Sequence, residues 1–176
     1  LKAQAMLPAL QSGQEILFLS FSRAAVRQVI VRCRGILGSK ERHQITVRTY
    51  HAFAMDILRT HGRLLTGRVP RIIYPGDENL AKTAFVGNWD AEVERLARDE
   101  GRYVFRQFAA AAAQLVAGSV AIASLLSSKY PMIILDEFQD TDDAQWMLVK
   151  TLSVRSKVVF MADPDQRIFD YDSRVD

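Results

Sequence analysis

Met132-Ile133-Ile134-Leu135-Asp136-Glu137-Phe138-Gln139-Asp140-Thr141 is the stretch on which the reading of this chain turns. Its first four residues form a continuous apolar run of strand length, as expected of a strand buried on both faces of a parallel sheet. Two acids follow at once. In an open parallel sheet, ligands bind beyond the carboxyl ends of the strands. Asp136 and Glu137 therefore stand where a ligand is expected. One carboxylate there can hold Mg²⁺ while the metal bridges phosphate oxygens, and its neighbour can orient or deprotonate the attacking water. A pair of acids in an ordinary turn gives the same letters, so the pair alone does not decide.

The flanking pattern fits a parallel sheet. Ile16-Leu17-Phe18-Leu19 is a second apolar run, followed by Ser20 and Ser22. Residues 24–34 read as a helix with Ser22 as its N-cap. Ile45-Thr46-Val47-Arg48-Thr49 is a short β-branched strand. Tyr50–His61 reads as a helix with Phe53, Ile57 and Leu58 at core spacing, stopped by Gly62. On the other side, 143–152 is a helix and Lys157–Met161 a strand. Alternating strands and helices predict an α/β domain with a parallel sheet.

Between 63 and 128 the pattern changes. Gly67, Pro70, Pro75, Gly76 and Gly87 mark loops. Residues 91–99 read as a charged helix, and 103–126 as mainly helical with a break near Gly118. No buried-strand run is visible. The expected division is 1–62 and 129–176 as two parts of one α/β domain, and 63–128 as a mostly helical insertion.

Composition sets bounds. The chain has 176 residues, 49% of them apolar and 24% charged, which is ordinary for a globular domain and argues against disorder. The net charge of +3 is compatible with a phosphate-bearing partner but weak evidence for one. Cys33 is the one cysteine, so no disulfide can form within the chain and a cysteine-rich zinc site is excluded. His43, His51 and His61 lack metal-ligand spacing. No charged segment leads into an apolar run at the amino end. No uninterrupted apolar stretch reaches the roughly 20 residues of a membrane helix; residues 108–126 come nearest and read as buried or interfacial helix. A cytoplasmic location and no membrane partner are expected.

Asp136-Glu137-Phe138-Gln139-Asp140-Thr141 resembles the Walker B strand of superfamily 1 helicases of the UvrD/Rep type. The resemblance makes Asp136 the Mg²⁺ partner and Glu137 the catalytic base, with Gln139 and Asp140 as coupling or structural residues. Ala162-Asp163-Pro164-Asp165-Gln166-Arg167-Ile168-Phe169 is similar to the family's motif III, in which Gln166 senses the nucleotide. Ala162, Arg167 and Phe169 depart from the common Gly, Ser and Tyr there. Ser20-Phe21-Ser22-Arg23-Ala24-Ala25 resembles motif Ia, and Arg48-Thr49-Tyr50-His51-Ala52-Phe53 resembles motif Ib. These imply DNA contacts by Ser20, Phe21, Ser22, Arg23, Thr49, His51 and Phe53, with Tyr171 placed to stack on a base. Hydroxyls and a helix N-terminus suit phosphate, and aromatic rings suit single-stranded bases. For Phe21 and Phe53, taken singly, core packing is the alternative.

The resemblance implies a RecA-like P-loop NTPase fold, with ATP and Mg²⁺ as cofactors and single-stranded DNA as partner. It also implies an ATP-dependent helicase or translocase moving 3′ to 5′. The phosphate-binding loop Gly-x-x-x-x-Gly-Lys-[Ser/Thr] does not occur among the 176 residues; Gly35-Ile36-Leu37-Gly38-Ser39-Lys40 has the wrong spacing. The expectation is therefore a fragment of the first RecA-like domain, lacking Walker A and the second RecA-like domain. Such a fragment should be inactive alone and complete only with the remainder of the parent chain. The alternative is a non-catalytic helicase-like module that binds DNA or protein.

Overall fold

The computed structural model describes residues 6–137 and 141–161. After a single 3₁₀ turn, Leu7–Ala9, the first half runs β1 (Ile16–Ser20), α1 (Arg23–Ile36), α2 (Ser39–Arg42), β2 (Ile45–Thr49), α3 (Tyr50–His61) and α4 (Arg63–Thr66). The middle holds β3 (Arg71–Ile73), α5 (Pro75–Ala84), α6 (Trp89–Arg95), β4 (Arg102–Val104), α7 (Phe108–Gly118) and α8 (Val120–Lys129). The chain then returns through β5 (Met132–Asp136), α9 (Asp143–Ser153) and β6 (Lys157–Met161).

The main sheet has the order β2-β1-β5-β6 with all neighbours parallel. Its two central strands are the two apolar runs of the sequence. Ile16, Leu17, Leu19, Ile133 and Leu135 are fully buried. Because side chains alternate along a strand, each run serves two cores. Leu17, Leu19, Ile133 and Leu135 face Phe53, Ile57, Leu58, Leu148 and Leu152 of α3 and α9. Ile16, Phe18, Met132 and Ile134 face the other way, toward Leu37, Val47 and the half-buried Val29, Ile30 and Cys33 of α1. Burial pushes the Cys33 thiol up, as fits a packed sulfur.

The register brings the carboxyl ends of the strands level. Ser20 pairs with Thr49, Leu19 with Leu135, and Asp136 with Met161. Three helices start at that edge, each with a side-chain cap. Ser22 Oγ accepts from the Ala25 amide at 2.9 Å, and Thr49 Oγ1 from Ala52 at 3.2 Å. Asp142 Oδ1 accepts from Gln145 at 2.7 Å, and Gln145 Oε1 accepts in return from the Asp142 amide, a reciprocal capping box.

The stretch 63–128 is less uniform than its periodicity suggests. The expectation of no buried strand is overturned: β3 and β4 pair in parallel, Ile72 beside Tyr103 and Ile73 beside Val104, with Tyr103 and Val104 buried. At three residues each, they are too short for a period of two to show. The charged helix becomes α6 followed by a π-helical turn, Leu96–Glu100, which Gly101 ends at φ +67°. The break near Gly118 is present. Ser119 caps α8, and the chain turns by 104° between Phe105–Gly118 and Val120–Lys129. Among the described residues no single helix is long and apolar enough to cross a membrane.

α7 lies in the main core. Ala109, Ala111, Ala112, Ala113, Leu115 and Val116 are buried. Several of them join the cluster that holds Leu17 and Leu135. Alanine on several sides of one helix lets α3 and α9 both approach closely.

Candidate nucleotide site and nucleic-acid cleft

β5 ends at Asp136, and the next strand over, β1, ends at Ser20. The buried Ser20 Oγ donates to Asp136 Oδ2 at 3.3 Å. Glu137 follows immediately with φ +52°, among the described residues the one non-glycine residue in the left-handed region. That conformation costs an L-residue about 1–2 kcal/mol, and such strain gathers at functional sites because the surrounding structure must impose it. Burial raises the Asp136 carboxyl above its ordinary range; the neighbouring Glu137 charge adds to the rise, and the Ser20 hydrogen bond opposes it.

The donor set suits a hard divalent cation. It consists of oxygens alone: two adjacent carboxyl groups and a hydroxyl. The charge on Glu137 disfavours a second charge on Asp136, and a dication relieves that repulsion. Among the described residues no group of three or more His, Cys, Asp or Glu converges to form a protein-only cage. Mg²⁺ fits such a place, since it keeps its waters and takes one or two carboxylates together with substrate phosphates.

One residue beyond Ser20, the same edge opens into a cleft of about 260 Å³. Phe21 and Arg23 line it from the β1–α1 junction, Thr49 and His51 from the β2–α3 junction. Ile72, Tyr74 and Phe105 close it from the middle segment. The His51 and Phe105 rings stack with centroids 4.1 Å apart and planes 8° from parallel. Phe21 leans on Tyr50 at 4.7 Å. Burial lowers the His51 imidazole, against an opposing pull from Asp142.

Four of the residues expected on DNA (Phe21, Arg23, Thr49 and His51) thus share one cleft. Ser22 is exposed at the same junction as the α1 cap. Two others have different partners. Ser20 is buried and bonded to Asp136, on the nucleotide side. Phe53 is 4% exposed in the main core, edge-on to Tyr130 at 6.0 Å. Its position on the inner face of α3 accounts for this, and the core spacing of Phe53, Ile57 and Leu58 already pointed there. Gln139, Asp140, Gln166 and Tyr171 lie outside the described residues.

Tyr74 and Phe105 were missed from sequence. Both are exposed aromatics, 52% and 43%. Tyr74 Oη accepts from Arg59 Nη2 at 2.7 Å. An aromatic beside Arg106 was a faint signal, but its position against His51 depends on a contact across 54 residues of chain.

A parallel sheet with helices on both faces, and an acidic pair at the carboxyl end of a central strand with Glu137 at positive φ, is the α/β arrangement of a RecA-like domain. The chain belongs to the UvrD/REP helicase N-terminal domain family, whose model matches residues 3–74 and 74–173. Over 45 residues it is 40% identical to the RecBCD enzyme subunit RecB of Mycolicibacterium smegmatis. That stretch is 25% of this chain and 4% of RecB, so the chain spans only a small part of that relative.

Proposed function

We propose that this chain is part of the motor of an ATP-dependent DNA helicase or translocase, moving 3′ to 5′ on single-stranded DNA in the cytoplasm. The observation that carries the reading is the pairing of Ser20 with Asp136 at the carboxyl ends of two adjacent strands, with Glu137 held in a strained conformation beside them. Asp136 holds Mg²⁺, and Ser20 orients the Asp136 carboxylate. Glu137 takes the proton of the attacking water. A metal held there would supply positive charge against the negative charge that develops in phosphoryl transfer. Gln166 reads the state of the nucleotide. The cleft at Phe21, Arg23, Thr49 and His51 takes the DNA, with Arg23 on phosphate and the rings on bases. Ser22, at the α1 N-terminus, adds a phosphate donor.

These 176 residues hold no Gly-x-x-x-x-Gly-Lys-[Ser/Thr] loop to cradle the phosphates. The polypeptide alone therefore turns over ATP negligibly and acts together with the rest of a parent chain. Steady-state ATP hydrolysis with single-stranded DNA tests both statements. Robust turnover by the 176 residues alone contradicts the dependence on further parts. A parent chain whose DNA-stimulated turnover survives Glu137→Gln contradicts the catalytic assignment of Glu137, whereas a parent chain that binds DNA without hydrolysing ATP favours a non-catalytic binding module.

A further inference from the structure

We infer that the free edge of β2, with the basic pocket beside it, is a docking site for an extended acidic segment of a partner protein. The partner's backbone continues the main sheet, and its carboxylates meet arginines of α1 and α2. The site is separate from the nucleotide and DNA readings, because it uses the amino half of β2 and not the carboxyl edge of the sheet.

β2 lies at one end of the main sheet, with β1 as its one neighbour among the described residues. The Gln44 carbonyl faces β1 and accepts from the Ile16 amide at 2.8 Å. Backbone groups of successive residues alternate in direction along a strand. The amides and carbonyls of Ile45 and Val47 therefore point away from β1. The Val47 carbonyl accepts a long bond, 3.4 Å, from Arg48 Nη1. The Ile45 amide and carbonyl and the Val47 amide have no protein partner among the described residues. Unpaired donors and acceptors on a sheet edge are a template for one more strand.

A pocket of about 250 Å³ opens beside that edge. Ile30, Ile45 and Val47 give it an apolar floor, and Arg34, Arg42 and His43 a basic rim. Ile45 and Val47 are two apart, so both side chains face α1. Arg42 Nη1 donates to the Leu37 carbonyl at 2.9 Å, which holds its guanidinium at the rim. His43 Nδ1 donates to the Ser39 carbonyl at 2.7 Å. Neither Arg34 nor Arg42 pairs with an acid among the described residues. The pocket has room for an aliphatic side chain and charge for the acids on either side of it.

Charge selects the occupant. Residues 23–48 hold seven Lys and Arg against one acid, Glu41, while the whole chain holds 23 against 20. The rest of the chain is therefore net acidic, and positive charge gathers on α1, α2 and β2. Glu41 is turned back onto the Gly38 amide at 2.8 Å. Arg23, Arg27, Ile30 and Arg34 recur at helical spacing along one side of α1. Arg23 lines the cleft at Thr49, and Arg34 lines the pocket at Ile45. The row thus follows β2 from its carboxyl end to its amino end. Arginines along an edge repel the same edge of a second copy and attract an acidic segment. A phosphodiester backbone has no N–H to give the Ile45 carbonyl.

Fluorescence anisotropy on the 176-residue chain tests this with a labelled peptide of alternating aspartate and isoleucine. The controls are its lysine counterpart and two copies N-methylated at every second amide, one in each register. The acidic peptide should bind and should shield Cys33, which lines the pocket, from a maleimide. The lysine peptide should do neither. The copy whose methyl groups face β2 should bind about 10-fold or more weakly, since several backbone bonds are lost. Arg34→Glu should weaken binding about 5- to 30-fold, and Arg34→Lys should keep most of it. If Arg34→Glu melts early, the N-methylated copies carry the test, because they leave the protein untouched. Failure of the acidic peptide to bind, or binding indifferent to a folded Arg34→Glu, overturns the inference. So does equal binding by both N-methylated copies and the parent peptide. An oligothymidylate that shields Cys33 as well as the peptide does assigns the patch to nucleic acid instead, and also overturns it.

Discussion

The hydroxyl of Ser20 reaches the carboxylate of Asp136 at 3.3 Å across 116 residues of chain. Both side chains sit at the ends of central strands, so the bond closes the carboxyl edge of the sheet where a ligand would meet it. Ser20→Ala should lower folding stability by about 1 kcal/mol, the net worth of a typical hydrogen bond. It should also weaken Mg²⁺-dependent turnover in the parent enzyme by leaving Asp136 less firmly oriented. Urea denaturation checks the first effect. An unchanged unfolding midpoint contradicts it.

Glu137 offers a test of strain without nucleotide. Glycine tolerates positive φ and alanine does not. Glu137→Gly should therefore be more stable than Glu137→Ala by about 1 kcal/mol, even though glycine loses more backbone entropy on folding. Equal midpoints for the two variants in urea would mean that residue 137 relaxes when its carboxylate is removed.

Phe53 should respond as a core residue. Phe53→Ala should cost about 3–5 kcal/mol of stability, because the ring is buried against Tyr130 between α3 and the sheet. Loss of DNA binding in that variant should then track unfolding. Arg23→Ala should leave the melt unchanged while making DNA affinity less salt-dependent by about one unit of slope. A folded Phe53→Ala protein with selectively lost DNA binding would return Phe53 to the nucleic-acid surface.

His51 gives a pH dependence of defined sign. Burial holds its imidazole below the ordinary value, with Asp142 opposing and the constant charge of Arg23 lining the same cleft. The unfolded chain therefore binds this proton more readily than the folded one, and stability rises with pH through the interval. The contribution is complete above the unfolded value of about 6.5 and is lost as pH falls from there toward the lowered folded value. As pH falls from about 7 through about 6.5 and below, the wild type should lose more stability than His51→Gln. Parallel pH profiles of the two urea midpoints contradict this.

Much of the architecture was legible because its signals are local. Ile16–Leu19 and Met132–Leu135 are uninterrupted apolar runs, and Ser22 caps its helix by a rule that needs three residues of sequence. Asp136 and Glu137 were legible for the same reason. The acids close an apolar run, and parallel topology fixes which end of it meets ligand. The rest depends on contacts between distant segments. β3 and β4 are three residues each, and neither is recognisable without the other. Ser20 reads as a DNA contact until β1 is placed beside β5. Phe105 reads as a stray aromatic until α3 brings His51 onto its face. Motif Ib groups His51 with Phe53, yet the helix turns the first toward the cleft and the second toward the core.

The alanines of α7 bear on how this domain can be recombined. Segments pass between related proteins, by evolution or by grafting, only at seams whose cutting leaves the core closed. Residue 128 marks where the sequence pattern changes, but a cut there would carry away α7 and α8, and with α7 the buried alanine surface on which α3 and α9 rest. The tolerable seam lies earlier, in the turn between Val104 and Phe108, where the small β3–β4 sheet gives way to the main core. A chimaera that exchanges 67–104 should keep the sheet and its acidic edge intact when the incoming segment matches Ala97 and Tyr103, which are buried in the main core. One that exchanges everything up to 128 must bring a matching helix with it.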